Sequence, residues 1–237
     1  MAADITYGTY KEAWDGFAVF LTDLIGKNHI KNICDIGGGA NPVLGADYIG
    51  EKKFDYYLLD ISEHELSKAP ENYNKILADI ASPRFNLSTK FDLIFSKMLA
   101  EHITNPEQFH KNIFNCLNTS GLAVHYFPTL YTVPFFVNYV MPERLADFLL
   151  HMFETRDRFQ HAKFPAYYRW CRGPTKKQVQ RFISLGYDVV EYRGFFGHGY
   201  YSKIKFLDKL NLIKTNYHLR HPNPVFTSYA YVVLRKP

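Results

Sequence analysis

Seven short apolar runs, most of them closing on polar or acidic residues, alternate along the chain with stretches in which apolar positions return every third or fourth residue. The runs cover residues 33–36, 54–62, 74–80, 91–96, 121–127, 187–192 and 225–234. Their length and the turn residues around them predict β-strands. Residues 10–25 carry Trp14, Phe17, Ala18, Leu21, Leu24 and Ile25 at helical spacing, which predicts an amphipathic helix at the start of the domain. A second helix begins where Asn105 offers a cap, Pro106 a first-turn residue and Glu107 an early acid, with Phe109, Ile113, Phe114 and Leu117 as its buried stripe. Residues 176–185 predict another helix, stopped by Gly186, and residues 197–212 a connecting one. No internal repeat or low-complexity segment interrupts this order.

The first strand leads into the chemistry. Asp35 and Ile36 run straight into Gly37, Gly38 and Gly39, where missing Cβ atoms let bare backbone turn tightly and approach a ligand. Roughly twenty residues on, at the spacing of a ribose-binding acid, the second strand ends in Asp60. The third reaches Asp79, and the fourth opens into Lys97, Met98, Leu99, Ala100, Glu101, His102 and Ile103. Polar residues at four strand ends outline one crevice of the kind in which open α/β sheets bind ligands. A nicotinamide-dinucleotide protein shares strand, glycine turn and distal acid. Against it stand the missing third glycine of its fingerprint, Asp35 immediately before the glycines, and the additional carboxylate of Asp79.

These residues, with Ala40, Asn41, Pro42, Ile61, Ile80 and Asn105-Pro106, resemble the class I S-adenosylmethionine-dependent methyltransferases, in particular the broad bacterial group acting on small molecules, sugars and lipids. The likeness runs in order from about Tyr7 to the last strand. It implies a Rossmann-like, seven-stranded, mostly parallel α/β sheet whose last strand enters antiparallel, with helices on both faces. It also implies S-adenosylmethionine as cofactor and S-adenosylhomocysteine as product. By the same resemblance Asp35, Gly37, Gly38 and Gly39 would bind the cofactor, Gly37 and Gly39 letting the backbone approach its methionine part, with Asp60 meeting the ribose hydroxyls and Asp79 the adenine amino group. Ile61 and Ile80 would pack on the ring faces, and Lys97 would face the cofactor carboxylate or the methyl-transfer site. Where the family often has a third glycine this chain has Asn41 before Pro42, residues that tolerate a left-handed backbone and a first helical turn respectively. Residues 1–30 would form a helical lid over the cofactor, in which Tyr7, Tyr10 and Trp14 either line the lid or, for Trp14, pack into the core.

Residues 128–175 depart from a minimal sheet and read as a substrate cap, crowded with Tyr131, Phe135, Phe136, Tyr139, Met141, Phe148, Phe153 and Phe159. A helix over 142–150 within it carries two acids and one base, so it lacks a cationic membrane face. Packing within the chain comes first, with pairing to a second copy or peripheral membrane contact behind it. Tyr167, Tyr168, Arg169, Trp170, Cys171 and Arg172 either stack and pair with a substrate or anchor the cap to the core. Tyr131 and His198 complete the candidate substrate set.

Composition narrows the remainder. With 237 residues, 47% hydrophobic and 22% charged, the chain can bury a substantial core and is read as one methyltransferase domain, residues 1–237. The net charge of +5 is concentrated: residues 154–237 hold 16 Lys and Arg against 5 Asp and Glu. Such a face attracts an anionic substrate, a membrane surface or nucleic acid, or is simply solvated. No RNA-binding module signature is present, which disfavours nucleic acid. Three widely spaced cysteines, Cys34, Cys116 and Cys171, suit buried thiols in a reducing cytosol. No run approaches transmembrane length and no close-spaced metal-ligand motif occurs, so a cytoplasmic, metal-free protein, monomer or homodimer, is expected.

Methyl transfer needs alignment, exclusion of water and, for a hydroxyl acceptor, removal of a proton. His102, just past the fourth strand, is the first candidate base, although in relatives a Glu-His pair also serves to fix local structure. His125 in the fifth strand is the second; His161 and His198 lie in the cap and late regions. O-methylation of a small or glycan-like acceptor leads, with N-methylation of a natural-product amine or indole, or a non-catalytic cofactor-binding module, as alternatives.

Overall fold

The computed structural model describes residues 3–140 and 165–237. The expected cap helix over 142–150, together with Met141, Phe148, Phe153, Phe159 and His161, lies outside the described residues. The elements run β1 (Asp4–Thr9), α1 (Tyr10–Lys27), β2 (Asn32–Ile36), α2 (Ala46–Lys52), β3 (Asp55–Asp60), α3 (Glu63–Lys68) and β4 (Asn74–Leu77). There follow β5 (Phe91–Lys97), a 3-10 turn (Ala100–His102), α4 (Pro106–Cys116), β6 (Leu117–Pro128) and α5 (Val133–Val140). After the undescribed stretch come α6 (Lys176–Ser184), β7 (Asp188–Phe196), α7 (Lys205–Arg220), a 3-10 turn (Pro224–Phe226) and β8 (Tyr229–Arg235).

All eight strands join one sheet in the order β1-β7-β8-β6-β5-β2-β3-β4. β8 enters antiparallel between β6 and β7, and every other pair is parallel. The eighth strand is β1, which pairs in register with β7 from Asp4 opposite Glu191 to Thr9 opposite Phe196. It carries no apolar run because it is an edge strand with Asp4, Ile5 and Thr6 exposed, so alternation alone does not reveal it. The central strands carry Ile33, Leu58, Leu93, Phe95 and Val124, all buried, as parallel strands covered on both faces require, and Val232 on antiparallel β8 is buried as well.

Two helix starts place the crevice walls. At α1 the Thr9 hydroxyl and N–H both donate to the Glu12 carboxylate, at 2.7 and 3.2 Å, fixing the point where β1 becomes helix. The buried face of α1, Ala13, Phe17, Leu21 and Ile25, then lies against the sheet, with the Phe17 ring 5.2 Å from Tyr126 on β6 and 5.0 Å from Tyr231 on β8. At α4 the Asn105 side chain accepts the Gln108 N–H at 3.2 Å ahead of Pro106, as the capping pattern predicts. Several boundaries shift from expectation: Leu117, read as part of the α4 stripe, opens β6 because α4 ends at Cys116. Asn223 caps a 3-10 turn, so the final strand begins at Tyr229, and the late helix starts at Lys205 and runs to Arg220. Cys34, Cys116 and Cys171 are buried free thiols, and no described helix is long and apolar enough to cross a membrane.

Candidate active site

The three glycines after β2 each face a different neighbour. Gly37 has φ +74° and donates its N–H to Leu59 O at 2.8 Å, tying the turn to β3; a Cβ there would stand 3.0 Å from the Leu99 side chain. A Cβ on Gly38 would fall 2.7 Å from Asp35 Oδ2 and 2.9 Å from Leu58. On Gly39, with φ +35°, it would meet Asp60 Oδ2 at 3.0 Å and Glu65 Cβ at 2.9 Å. Any larger residue at Gly38 or Gly39 would displace a neighbour, and the turn can lie flat against both carboxylates only because it is bare.

Asp35 stands behind this turn. Its Oδ2 accepts the Tyr56 hydroxyl at 2.8 Å and the Val43 N–H at 3.1 Å, and burial pushes its carboxyl up to about 7. Grouped with the cofactor contacts by sequence, it is fully buried and braces the loop from inside. Asp60 is half-buried at the tip of β3, its Oδ1 accepting the Ser62 N–H at 2.9 Å, and burial raises its carboxyl above the usual range. Ser62 in turn caps α3 by accepting Glu65 N–H. Further along the crevice edge, Ile61 is 64% exposed and Asp79 exposed, the latter accepting Ala81 N–H at 2.9 Å. The structure separates Ile80 from Ile61: Ile80 is buried in the core, and its carbonyl accepts from Asn112 at 2.7 Å.

Lys97 ends β5 with its Nζ 5.1 Å from the centre of the Trp14 ring. Trp14 is 51% exposed and sits edge-on to Tyr126 at 6.4 Å, so it borders the crevice and is no core residue.

Beyond Lys97 the chain turns onto β6, Met98 N–H donating to Tyr126 O at 2.8 Å. The Glu101 carbonyl accepts the Tyr167 and Tyr168 N–H groups at 2.6 and 3.1 Å, and His102 Nδ1 donates to Pro165 O at 2.9 Å. Because a carbonyl only accepts, that bond sets the proton on Nδ1 and leaves Nε2 facing Glu101 Oε1 at 3.8 Å. The pair clamps residues 165–168 over the end of β5. His125 is fully buried, bonded through Nδ1 to the Ser96 hydroxyl at 2.8 Å, and burial holds its pKa down to about 3. Its ring lies 5.0 Å from His110 and 5.5 Å from Phe109, towards α4.

The aromatic-basic cluster divides. Tyr167, Arg169, Trp170 and Arg172 line a cavity of about 460 Å³ beside Asn105 and Tyr139. Trp170 also stacks on His110 at 5.7 Å and lies under Arg181, while Arg172 lies over Tyr131 at 5.1 Å and donates to the Tyr168 and Cys171 carbonyls. Tyr168 is buried, 6.1 Å from Phe135. His198 is buried against Tyr200 and Tyr201, its pKa pushed down to about 4 by burial, then by Lys214.

Sequence reasoning took Glu101 only as half of a Glu-His pair and did not single out Tyr126 or Tyr229. Glu101 is 4% exposed, burial lifts its carboxyl to about 8, and its Oε2, like the Tyr126 hydroxyl, has no hydrogen-bond partner among the described residues. Its adjacency to His102 was the available signal; the tyrosines are hidden as ordinary strand positions. Among the described residues, no group of three or more His, Cys, Asp or Glu is placed to hold a metal ion.

A glycine turn pressed against the carboxylate at the end of the neighbouring parallel strand suits a nucleotide-type cofactor. Residues 13–192 match the family described as methyltransferase domain, and the chain belongs to that family: it is a class I S-adenosylmethionine-dependent methyltransferase, with S-adenosylmethionine as cofactor. Among solved structures it is similar to an S-adenosylmethionine-dependent methyltransferase from Clostridium acetobutylicum, with 12% identity, TM-score 0.57, and 94% and 92% of the two chains covered. One from Archaeoglobus fulgidus gives 14% identity and TM-score 0.56 over 96% and 98%. Phosphoethanolamine N-methyltransferase 2 from Haemonchus contortus, in complex with S-adenosylmethionine, gives 12% and 0.57, over 94% of this chain and 53% of that one. No curated protein matches this sequence.

Proposed function

We propose that this enzyme methylates a nitrogen of a small-molecule acceptor presented at the ends of β5 and β6. S-adenosylmethionine, when bound, supplies a methyl group activated by the sulfonium. On the cofactor side, Gly37 and Gly39 offer bare backbone, Asp60 a carboxylate for the ribose hydroxyls, and Asp79 and Ile61 an edge for the adenine. Asp35 holds that turn in shape, and Ile80 supports the edge from beneath. The observation that carries the cofactor assignment is the 3.0 Å approach that any Cβ on Gly39 would make to Asp60 Oδ2: backbone and carboxylate there share one space that only a glycine leaves open.

Oxygen acceptors come first from the sequence alone, and that order depends on a histidine base. His125 is sealed against Ser96 and stays neutral, and His102 is engaged with Pro165 while clamping residues 165–168. A nitrogen acceptor carries its own lone pair and asks only for alignment and for one proton to be taken up, which suits the buried carboxyl beside the clamp. Residues 1–30 act as lid, with Trp14 at its inner border, and residues 128–175 as substrate cap, whose described part brings Tyr167, Arg169 and Trp170 to the acceptor side.

Calorimetric titration with S-adenosylhomocysteine tests the cofactor half, with stoichiometric binding expected and lost in Asp60→Ala. Mass spectrometric screening of paired amine and alcohol pools for added methyl groups tests the acceptor half. Methylated alcohols without methylated amines would reverse the nitrogen assignment.

A further inference from the structure

We infer that Glu101 Oε2, together with the phenol rings of Tyr126 and Tyr229, is the recognition site for an ammonium group on the methyl acceptor. This rests on the nitrogen-acceptor reading above and extends it to the charge state in which the acceptor arrives.

The Glu101 carboxyl is held at the end of β5 by a turn stitched to β6 through Met98 N–H and Tyr126 O. Tyr126 and Tyr229, from separate strands, lie near it and belong to a chain of aromatic rings. Tyr126 and Tyr229 are 5.9 Å apart, Tyr229 is 5.6 Å from Phe135 on α5, and Phe135 is 5.6 Å from Tyr200. Glu101 lies close enough to raise the pKa values of the Tyr126 and Tyr229 phenols, after burial and the neighbouring tyrosines have done so. Two polar atoms in this enclosure, Glu101 Oε2 and the Tyr126 hydroxyl, have no hydrogen-bond partner among the described residues.

A buried carboxylate without a cation is far costlier than a buried carboxyl that has one. Among the described residues, Lys97 lies over the Trp14 ring, and Arg172 is engaged with two carbonyls and the Tyr131 ring. An ammonium ligand supplies both what Oε2 lacks, charge and N–H donors, and nearby aromatic rings attract the same charge. A hydroxyl would supply a donor without charge, and an anion would be repelled. An ammonium has no lone pair, so one N–H bond must break before attack. The proton moves to Oε2, forming the O–H bond of a neutral carboxyl and leaving the electron pair on nitrogen. The step starts from the ionised carboxylate: a carboxyl that burial lifts to about 8 is a strong enough base, once ionised, to take such a proton. Entry requires residues 165–168 to part from Glu101, which they hold through the Tyr167 and Tyr168 N–H groups.

Saturation-transfer NMR with phenethylamine and 2-phenylethanol, on protein with and without S-adenosylhomocysteine, tests this. We expect the amine to bind roughly tenfold tighter than the alcohol. In Glu101→Gln the two should bind alike, with S-adenosylhomocysteine affinity unchanged. In wild-type protein the amine affinity should rise from about pH 6.5 to about 8.5 as Glu101 ionises. The other described groups that feel its charge, Tyr126, Tyr229 and Cys171, are pushed further from ionising by burial, and the rise should persist in His102→Gln. A variant that retains the amine preference, a wild-type protein that shows none, or a flat pH profile overturns the inference; the last readout needs no variant to fold. Failure of wild-type protein to bind S-adenosylhomocysteine would count instead against the cofactor assignment.

Discussion

Replacing Asp60 by Asn isolates what the crevice carboxylate does. Asn keeps an Oδ1 that can accept the Ser62 N–H, now at 2.9 Å, so the tip of β3 and the α3 cap should survive. What changes is the side facing Gly39, where a charged acceptor becomes a neutral amide donor. A hydrogen bond to a charged group is worth about 1.5–3 kcal/mol, so losing one charged acceptor should weaken S-adenosylhomocysteine binding roughly ten- to 150-fold. Asp60 is half-buried, with burial already disfavouring its charge, which places the expected loss towards the lower end. Calorimetry reads the affinity, and thermal melting without ligand checks that the fold is intact. If Asp60→Asn binds within about twofold of wild type while melting normally, ribose recognition lies elsewhere.

Gly39→Ala should lose cofactor affinity more completely than Asp60→Asn, because its Cβ would collide with both Asp60 and Glu65 at a positive φ; fluorescence titration checks the order of the two. Asp35 binds a proton more tightly folded than unfolded, so the native state should hold an extra proton between about pH 4 and 7 and lose stability as pH rises through that window. Denaturant titrations across it should show the decline in wild type and a flatter profile in Asp35→Asn. His102→Ala should release Pro165, raising proteolytic cleavage near residues 165–168 and the acceptor KM while leaving S-adenosylhomocysteine affinity unchanged; a fall in cofactor affinity instead would place His102 in the cofactor site.

Much of this molecule was legible before folding. Glycines at 37–39 and acids at 35, 60 and 79 are informative because strand, turn and carboxylate must follow one another within a short stretch of chain, and local spacing records that. The same holds for Asn105 and Pro106 at the start of α4, and for the insertion of β8, which the family resemblance implied. Edge strand β1 escaped because its stability comes from hydrogen bonds to β7, nearly two hundred residues away, and asks nothing of its side chains. Ile61 and Ile80 occupy equivalent places after their strands and differ only in what lies behind them, so sequence assigned them one role and packing gave them two.

Sequence alone determined the seven strands other than β1, the family and its cofactor, since these depend on residues close together along the chain. Tertiary structure alone decided the surroundings of Glu101. Glu101, Tyr126 and Tyr229 come from a turn and two strands that meet only when β8 inserts beside β6, and whether a carboxyl there is a surface charge or a buried, unpaired acid is a property of what surrounds it. Burial likewise turned His125 from a candidate base into a neutral ring and made Asp35 a brace for the glycine turn, because solvation belongs to the folded environment and not to the residue type.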